Sequence, residues 1–177
     1  MARCAGLLIL LLAFVCTGMK GQVVWAPFRS TAGFLVQYPS NWRFFTTSTD
    51  RLDILSTADF AKGVVIAENE AEIIVVERSD SNAANLPDII ARDTRSDSVL
   101  SRRIVRGHSA ANRCSNLTEV VSKTEMGPGT YEIDTALYCM IRGRIFSTVL
   151  RNWFGDARQP EYHQIAVHVA QSIRLAQ

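Results

Sequence analysis

Five arginines form the densest group of side chains in this chain that could bind an anion or an acidic partner. They are Arg92, Arg95, Arg102, Arg103 and Arg106. Guanidinium groups make bidentate hydrogen bonds to carboxylates and phosphates, so the group predicts a weak anion-binding or partner-binding site. Asp93 and Asp97 lie among the arginines and could neutralise part of the charge. Arg102 and Arg106 flank Ile104 at strand spacing, which alternatively indicates a solvated edge strand without a ligand.

The residues that could bind a soft metal ion are few, and their spacing is not that of usual metal ligands. They are Cys114, Cys139, His108, His163 and His168. The chain has no close cysteine pair in this group and no His-Glu-x-x-His motif, so we predict no metal site. His163 and His168 are five residues apart, which separates their directions on a helix by about 140°. Both are predicted to be exposed structural residues.

Oxygen ligands and catalytic motifs give no stronger signal. Glu68, Glu70 and Glu72 could offer oxygen to calcium, but the run of ligands around a turn-forming glycine is missing. The sequence also lacks a glycine-rich phosphate loop and a Gly-x-Ser-x-Gly nucleophile motif. We therefore predict no cofactor and no catalytic residue from linear motifs. An enzyme would need a site assembled from distant segments.

The N-terminal segment 1–21 has the pattern of a signal peptide. Arg3 precedes an uninterrupted run of apolar or small residues from Ala5 to Cys16. That run is shorter than the roughly 20 residues that a membrane-spanning helix needs. Cleavage is expected after Gly18 or Gly21, and the pattern predicts a bacterial protein exported to the periplasm or the extracellular space.

The mature chain, residues 22–177, is predicted to be one near-neutral domain. Removal of the leader reduces the 19 basic residues to 17, against 17 acidic ones. A neutral chain has no bulk electrostatic attraction to nucleic acid, so we expect no nucleic-acid partner. A lipid anchor on Cys16 is disfavoured because the bulky Phe14 and Val15 precede it.

Cys114 and Cys139 remain in the mature chain and are predicted to form a disulfide, as an even cysteine number in an oxidising compartment indicates. A Gly-Pro-Gly turn at 127–129 predicts a hairpin between the two strands that carry them. With Gly127 and Pro128 at the centre of the turn, the cysteines lie one step from direct register. A third strand at 144–153 would complete an antiparallel meander.

Shorter strands are predicted towards the N-terminus. Alternating apolar side chains predict a strand at 34–38, which Pro39 ends, and a short strand at 53–55. Segments 64–66 and 72–76 flank an acidic turn and predict a second hairpin.

Two helices complete the predicted fold. Pro87 suits the first turn of a helix that runs to about Asp97. A second helix starts at Pro160 and has apolar residues at three- and four-residue intervals. Its buried stripe is expected to be Tyr162, Ile165, Ala166, Val169 and Ile173. Its outward residues are expected to be His163, Gln164, His168 and Gln171. Helices packed on an antiparallel sheet make an α+β fold.

Three segments carry a resemblance to a known family. They are a strand followed by Tyr-Pro and a nearby Trp at 33–42, a strand, turn and strand at 63–77, and the end of the last helix at 172–175. In this order they resemble the PsbP-like family, whose fold also occurs in a yeast Ran-binding nuclear import factor. The resemblance implies an α-β-α sandwich with a central antiparallel sheet. Independently of the resemblance, the large apolar surface of Trp42 predicts that this side chain plugs the end of the core.

These observations favour one functional hypothesis and leave two alternatives. Members of the PsbP-like family act as assembly or stabilising subunits and as binding modules, which implies a non-catalytic interaction module whose partner is an unidentified envelope or extracellular protein. An exposed apolar patch would support it. The alternatives are an enzyme with a dispersed site, marked by a deep pocket with converging polar groups, and a carrier of a small apolar ligand, marked by an apolar cavity.

Overall fold

The described part of the chain, in a computed structural model, comprises residues 22–56, 69–78, 85–94, 98–106, 113–114 and 116–176. Its strands are β1 (Trp25–Arg29), β2 (Phe34–Pro39), β3 (Arg43–Ser48), β4 (Arg51–Leu55), β5 (Ala71–Arg78), β6 (Ser98–Arg106), β7 (Asn116–Gly127), β8 (Thr130–Ile141), β9 (Arg144–Trp153) and β10 (Arg174–Leu175). Its helices are α1 (Leu86–Asp93) and α2 (Gln159–Ser172).

A seven-stranded antiparallel sheet forms the centre of the fold, in the order β3-β4-β5-β9-β8-β7-β6. A three-stranded sheet, β1-β2-β10, packs on the same face as α2. The meander of β7, β8 and β9 is confirmed. So is the strand at 53–55, which is part of β4. The segment 72–76 belongs to β5 and pairs with β4 and β9, while its predicted hairpin partner at 64–66 lies outside the described residues.

The turn between β7 and β8 lies one residue later than predicted. Pro128 and Gly129 occupy its centre, and Gly129 has a φ of 75°. Proline fixes the φ of the first central residue and glycine accepts a positive φ at the second, which are the requirements of a type II turn. A register shift between Glu125 and Gly127 follows, and Thr118 then lies opposite Tyr138.

The predicted disulfide between Cys114 and Cys139 is present, with Cα atoms 5.5 Å apart, but the predicted register was wrong. Cys114 precedes β7 because the turn and the register shift move the ladder. The Cys114 N–H donates to the carbonyl of Ile173 at 3.2 Å. The disulfide therefore joins β8 to the chain that runs beside the end of α2.

The predicted stripe of α2 is confirmed. Tyr162, Ile165, Ala166, Val169 and Ile173 are all buried. They pack between the large sheet and the small sheet in one core that also contains core residues such as Phe34, Leu137 and Phe146. Trp42 is 8% exposed and lies edge-on to Tyr162, with ring centroids 6.0 Å apart, so its predicted position at the end of the core is confirmed.

Helix α1 covers part of the opposite face of the large sheet, which makes the fold an α-β-α sandwich. Ile89 and Ile90 pack there on Val120 and Tyr138. Asn85 caps the helix by accepting the Asp88 N–H at 3.0 Å. The helix ends at Asp93, earlier than the predicted Asp97. The cap residue Thr94 leaves the helical conformation, with φ −104° and ψ 12°, while its hydroxyl and its N–H still donate to the carbonyl of Ile90.

A charge placed in the α2 stripe should unfold the protein. Val169→Asp would bury a carboxylate without a partner in the core, and we expect it to lower the free energy of unfolding by about 4 kcal/mol or more. Gln164→Asp, at an exposed position of the same helix, should change it by less than about 0.5 kcal/mol. Urea unfolding, monitored by circular dichroism, measures the free energy of unfolding of both variants. Equal stability of the two variants would contradict the position of α2.

Candidate functional site

The structure divides the five candidate arginines between different environments. Arg95 lies outside the described residues. Arg92 is on α1, 3.7 Å from Asp93. Arg103 points to the α2 side of β6, where its Nε donates to Glu119 at 2.5 Å. Arg102 and Arg106 make no hydrogen bond or ion pair with any residue in the described ranges.

Arg102 and Arg106 lie on the open face of the large sheet with Ile104 between them. Residues directly opposite each other in an antiparallel pair share a face of the sheet. Ile104 lies opposite Thr118, and Thr118 lies opposite Tyr138, which packs against α1. The open face is therefore the face on which α1 packs. The strand β6 is exposed at every residue except Val105. The neighbouring Met140, on β8, is also exposed.

We define the β6 surface by the exposed side chains on and beside this strand. They are Val99 (49% exposed), Leu100 (55%), Arg102, Ile104 (61%), Arg106 and Met140 (51%). The predicted strand spacing of Arg102, Ile104 and Arg106 is confirmed. The position of Met140 near this edge was not predictable from the sequence, because it depends on the register between β7 and β8.

The other edge of the large sheet, β3, differs from β6 in how far it is covered. Both edge strands have one register shift, between Phe45 and Ser48 in β3 and between Val99 and Ser101 in β6. The one large apolar side chain of β3 with high exposure, Phe44, makes edge-on contacts with Phe28 and Tyr38 of the small sheet, at centroid distances of 5.4 and 5.0 Å. The edge at β3 is therefore partly covered from within the protein, whereas the open face of β6 is not covered by any described element.

On the opposite face of the sheet, Glu119 of β7 joins His163 of α2 to Arg103 of β6. Its side chain is 3% exposed and bonds both Arg103 and His163, the latter at 2.7 Å. Burial raises the pKa of Glu119, but hydrogen bonds from Arg103 and His163 outweigh that effect, and the net pKa is lowered. Glu119 is therefore a stable anion that pairs with groups from two different elements.

The prediction that His163 and His168 face outward was wrong, because α2 has a sheet on each side. Both side chains are only partly exposed. His163 bonds Glu119 of β7, whereas His168 stacks on Trp25 with ring centroids 3.7 Å apart and meets Gln37 at 3.1 Å. Burial lowers the pKa of His168. The two histidines contact different sheets, as their angular separation on the helix requires.

A charged groove, defined by Arg78, Asp93, Tyr138, Glu72, Glu132, Asp134 and Arg151, crosses the open face beside α1. Most of these residues line a cavity of about 450 Å³. Asp93 accepts hydrogen bonds from Arg78 at 2.7 Å and from the Tyr138 hydroxyl at 3.2 Å. Arg151 lies 3.6–3.8 Å from Glu72, Glu132 and Asp134. Burial raises the pKa of Glu72, and Arg151 opposes the increase.

A second cavity, of about 550 Å³, lies between the chain at Val23 and Trp25 and the helix residues Gln164 and His168. In the described ranges, no group of three or more His, Cys, Asp or Glu side chains is arranged to hold a metal ion. His108 and Glu68 lie outside those ranges. Neither α1 nor α2, the two helices described, has the length and apolar surface that crossing a bilayer would require.

No protein-family model matches the sequence, and no curated protein sequence matches it. Solved structures are similar in fold. The Ran-binding protein Mog1p of Saccharomyces cerevisiae has a TM-score of 0.57 at 5% identity, over 88% of this chain and 97% of Mog1p. A protein from Bacteroides thetaiotaomicron has a TM-score of 0.50 at 14% identity over 85% of this chain, but this chain spans only 48% of it.

The cyanobacterial PsbP of Synechocystis sp. PCC 6803 has a TM-score of 0.44 at 12% identity, over 89% of this chain and 96% of that protein. The chain has the fold that the PsbP-like resemblance implied, and the likeness to Mog1p shows it. At these identities the comparisons concern the fold alone.

Replacing Glu119 should remove a pH-sensitive part of the stability. The pKa of Glu119 is lower in the folded protein than in the unfolded one. The carboxylate therefore stabilises the folded state fully above its ordinary pKa of about 4.5, and this stabilisation is lost as the pH falls through the pKa of the folded state. We expect Glu119→Gln to lower the free energy of unfolding by about 1–2 kcal/mol at neutral pH. The difference from the wild type should shrink as the pH falls below the ordinary pKa of a glutamate.

The matched control is Glu125→Gln, at an exposed position of the same strand. It should follow the wild-type curve at every pH. Urea unfolding at a series of pH values measures all three proteins. If the free energy of unfolding of Glu119→Gln changed with pH in the same way as that of the wild type, the charge of the carboxylate would not be what holds α2.

Proposed function

We propose that the chain is an exported, non-catalytic interaction module that binds a protein partner through the β6 surface. The observation that carries the proposal is the exposure of large apolar side chains beside Arg102 and Arg106 at the edge of the sheet. An apolar group with a polar rim on a folded domain is typical of an interaction site. Arginine is also enriched at protein interfaces, because its guanidinium binds carboxylates with fixed geometry.

The size of the apolar group indicates what kind of contact it can make. Fully burying one aliphatic side chain contributes about 1.5–3 kcal/mol, and the side chains of the β6 surface are already about half buried. Covering them completely would thus contribute roughly 1 kcal/mol each. Association costs at least about 4 kcal/mol in lost freedom of motion. The arginines and the backbone of β6 must therefore contribute to a stable complex.

Export is part of the proposal and rests on two features. The disulfide between Cys114 and Cys139 is typical of proteins in oxidising compartments. The segment 1–21 has the charge and hydropathy pattern of a signal peptide. We place the protein in the periplasm or outside the cell, with an envelope or extracellular protein as its partner.

The fold is compatible with this function. Mog1p, which has the same fold, is described as a Ran-binding protein, so this architecture can present a surface to a protein partner. The low identity supports no transfer of the Ran partner itself.

The charged groove favours a second candidate, an enzyme with a dispersed site, because it is a cavity with converging titratable groups. Its groups are, however, arranged around one another: three carboxylates surround Arg151, and Arg78 and Tyr138 bond Asp93. Such an arrangement is typical of a structural ion-pair network. A carrier of apolar ligands is less well supported, because both cavities described above have charged or polar side chains in their walls.

Site-specific photo-cross-linking in the native envelope tests the proposed surface. A photoreactive amino acid at position 102 or 106 should form a defined cross-link with one protein. The same group at position 43, an exposed arginine of the opposite edge strand, is the matched control and should not. Position-dependent cross-linking is the informative result, because it reports the face that the partner contacts.

Ile104→Asp should weaken the cross-link from position 102 at least about tenfold, because it places a charge in the apolar part of the interface. Met126→Asp, an equally exposed apolar site on the turn side of β7, should leave it unchanged. Circular dichroism checks that both variants are folded. Equal cross-linking from both edges, or none from a folded protein, would contradict the proposed surface.

A further inference from the structure

We infer that the partner binds as an extended acidic segment, which pairs with β6 and adds a strand to the large sheet. The inference rests on the proposed function, because it specifies what occupies the β6 surface. Three features of β6 support it: a backbone edge with which no described strand pairs, the distribution of charge, and the unfavourable alternative of pairing with a second copy.

The backbone of β6 is suited to strand addition. None of the strands within the described ranges pairs with its outer side. Alternate N–H and C=O groups of an edge strand point away from its neighbour and can bond another strand. The ladder with β7 is regular from Ser101 to Arg106, and β6 contains no proline, so no donor is missing from this row. These backbone bonds would supplement the apolar contacts, which alone do not offset the cost of association.

The charge of β6 selects an acidic partner strand. The strand contains three arginines and no acidic residue. Arg103 is already paired with Glu119 on the α2 side, whereas Arg102 and Arg106 lie on the open face and pair with no group of the described residues. Ile104 lies between them on that face. The complementary strand would present a carboxylate, an apolar side chain and a carboxylate at alternate positions, because cross-strand neighbours of opposite charge attract.

A second copy of this chain does not meet that requirement. If two β6 strands paired antiparallel with Ile104 opposite Ile104, Arg102 of each copy would lie opposite Arg106 of the other. Like charges directly opposite each other destabilise a sheet. The β6 edges of two copies thus repel each other, whereas an acidic strand is attracted. This combination opposes aggregation through β6 and still permits a partner to bind.

The test uses the full mature protein and a synthetic nine-residue peptide with glutamate at positions three and seven, valine at position five and threonine elsewhere. Alternate residues of a strand share a face, so this glutamate–valine peptide presents a carboxylate, an apolar side chain and a carboxylate on one face. We expect it to bind and to slow amide hydrogen exchange in β6, and not in β3. The lysine–valine peptide, with lysine at positions three and seven, should bind at least about tenfold more weakly, since two ion pairs become two repulsions. The glutamate–valine peptide with N-methyl groups on the alternate amides that would face β6 should lose binding, because it cannot complete the ladder.

Charge reversal supplies the matched variants. Arg102→Glu/Arg106→Glu should prefer the lysine–valine peptide, and Arg43→Glu on the opposite edge should behave like the wild type. Tight binding of the N-methylated peptide, protection at β3, or no preference between the acidic and basic peptides would overturn the inference. So would a dimer in sedimentation that Arg102→Glu/Arg106→Glu dissociates, because the occupant would then be a second copy.

The two proposals fail in different ways. Cross-linking from position 102 together with equal binding of the N-methylated peptide would leave the β6 surface as the interaction site and overturn strand addition alone. Loss of position-dependent cross-linking would overturn the proposed surface itself, and the inference with it.

Discussion

The burial of one face of α2 between two sheets is the interaction on which the rest of the structure depends. Tyr162, Ile165 and Val169 pack against the large sheet, and the small sheet closes over the same core. The disulfide and the bond from Cys114 to Ile173 hold the chain beyond the helix in place. Glu119 adds an ionic contact at one side, and Trp25 adds a stacked ring at the other. This layer closes one face of the sheet and leaves the opposite face to α1.

The two faces of the large sheet therefore have different properties. Helix α1 is only eight residues long and covers the middle of its face at Val120, Ala136 and Tyr138. On one side of it the sheet carries the charged groove, where the charges are paired with one another. On the other side lies the β6 surface, where apolar side chains are exposed and two arginines contact no acidic group of the described residues. The proposed binding surface is thus the part of this face that the short helix does not reach.

Local patterns predicted the parts of the fold that local physics determines. The apolar stripe of α2 is periodic, and its burial follows from that period. Strands β7, β8 and β9 were recognised instead from their strand-forming residues and from the turns between them. Strand β10 was not predicted, because it has two residues and exists through pairing with the distant β2. Strands β1 and β3 pair with the strands that follow them, but they were not predicted because their apolar and polar residues do not alternate clearly. The roles of Arg103 and His163 were missed because they depend on distant contacts: both bond Glu119, 16 and 44 residues away. The β6 edge was recognisable from Arg102, Ile104 and Arg106, but its exposure required the fold.

Amide hydrogen exchange of the isolated protein, resolved by residue with NMR, reports whether the outer side of β6 is free. If the outer side of β6 is free, protection between Ser101 and Arg106 should alternate: amides that bond β7 exchange slowly, and those between them exchange nearly as fast as in an unstructured peptide. The inner strands β8 and β9 should be protected throughout. Uniform protection along β6 would show that its outer side is already paired, and would contradict the account of β6 as a binding edge.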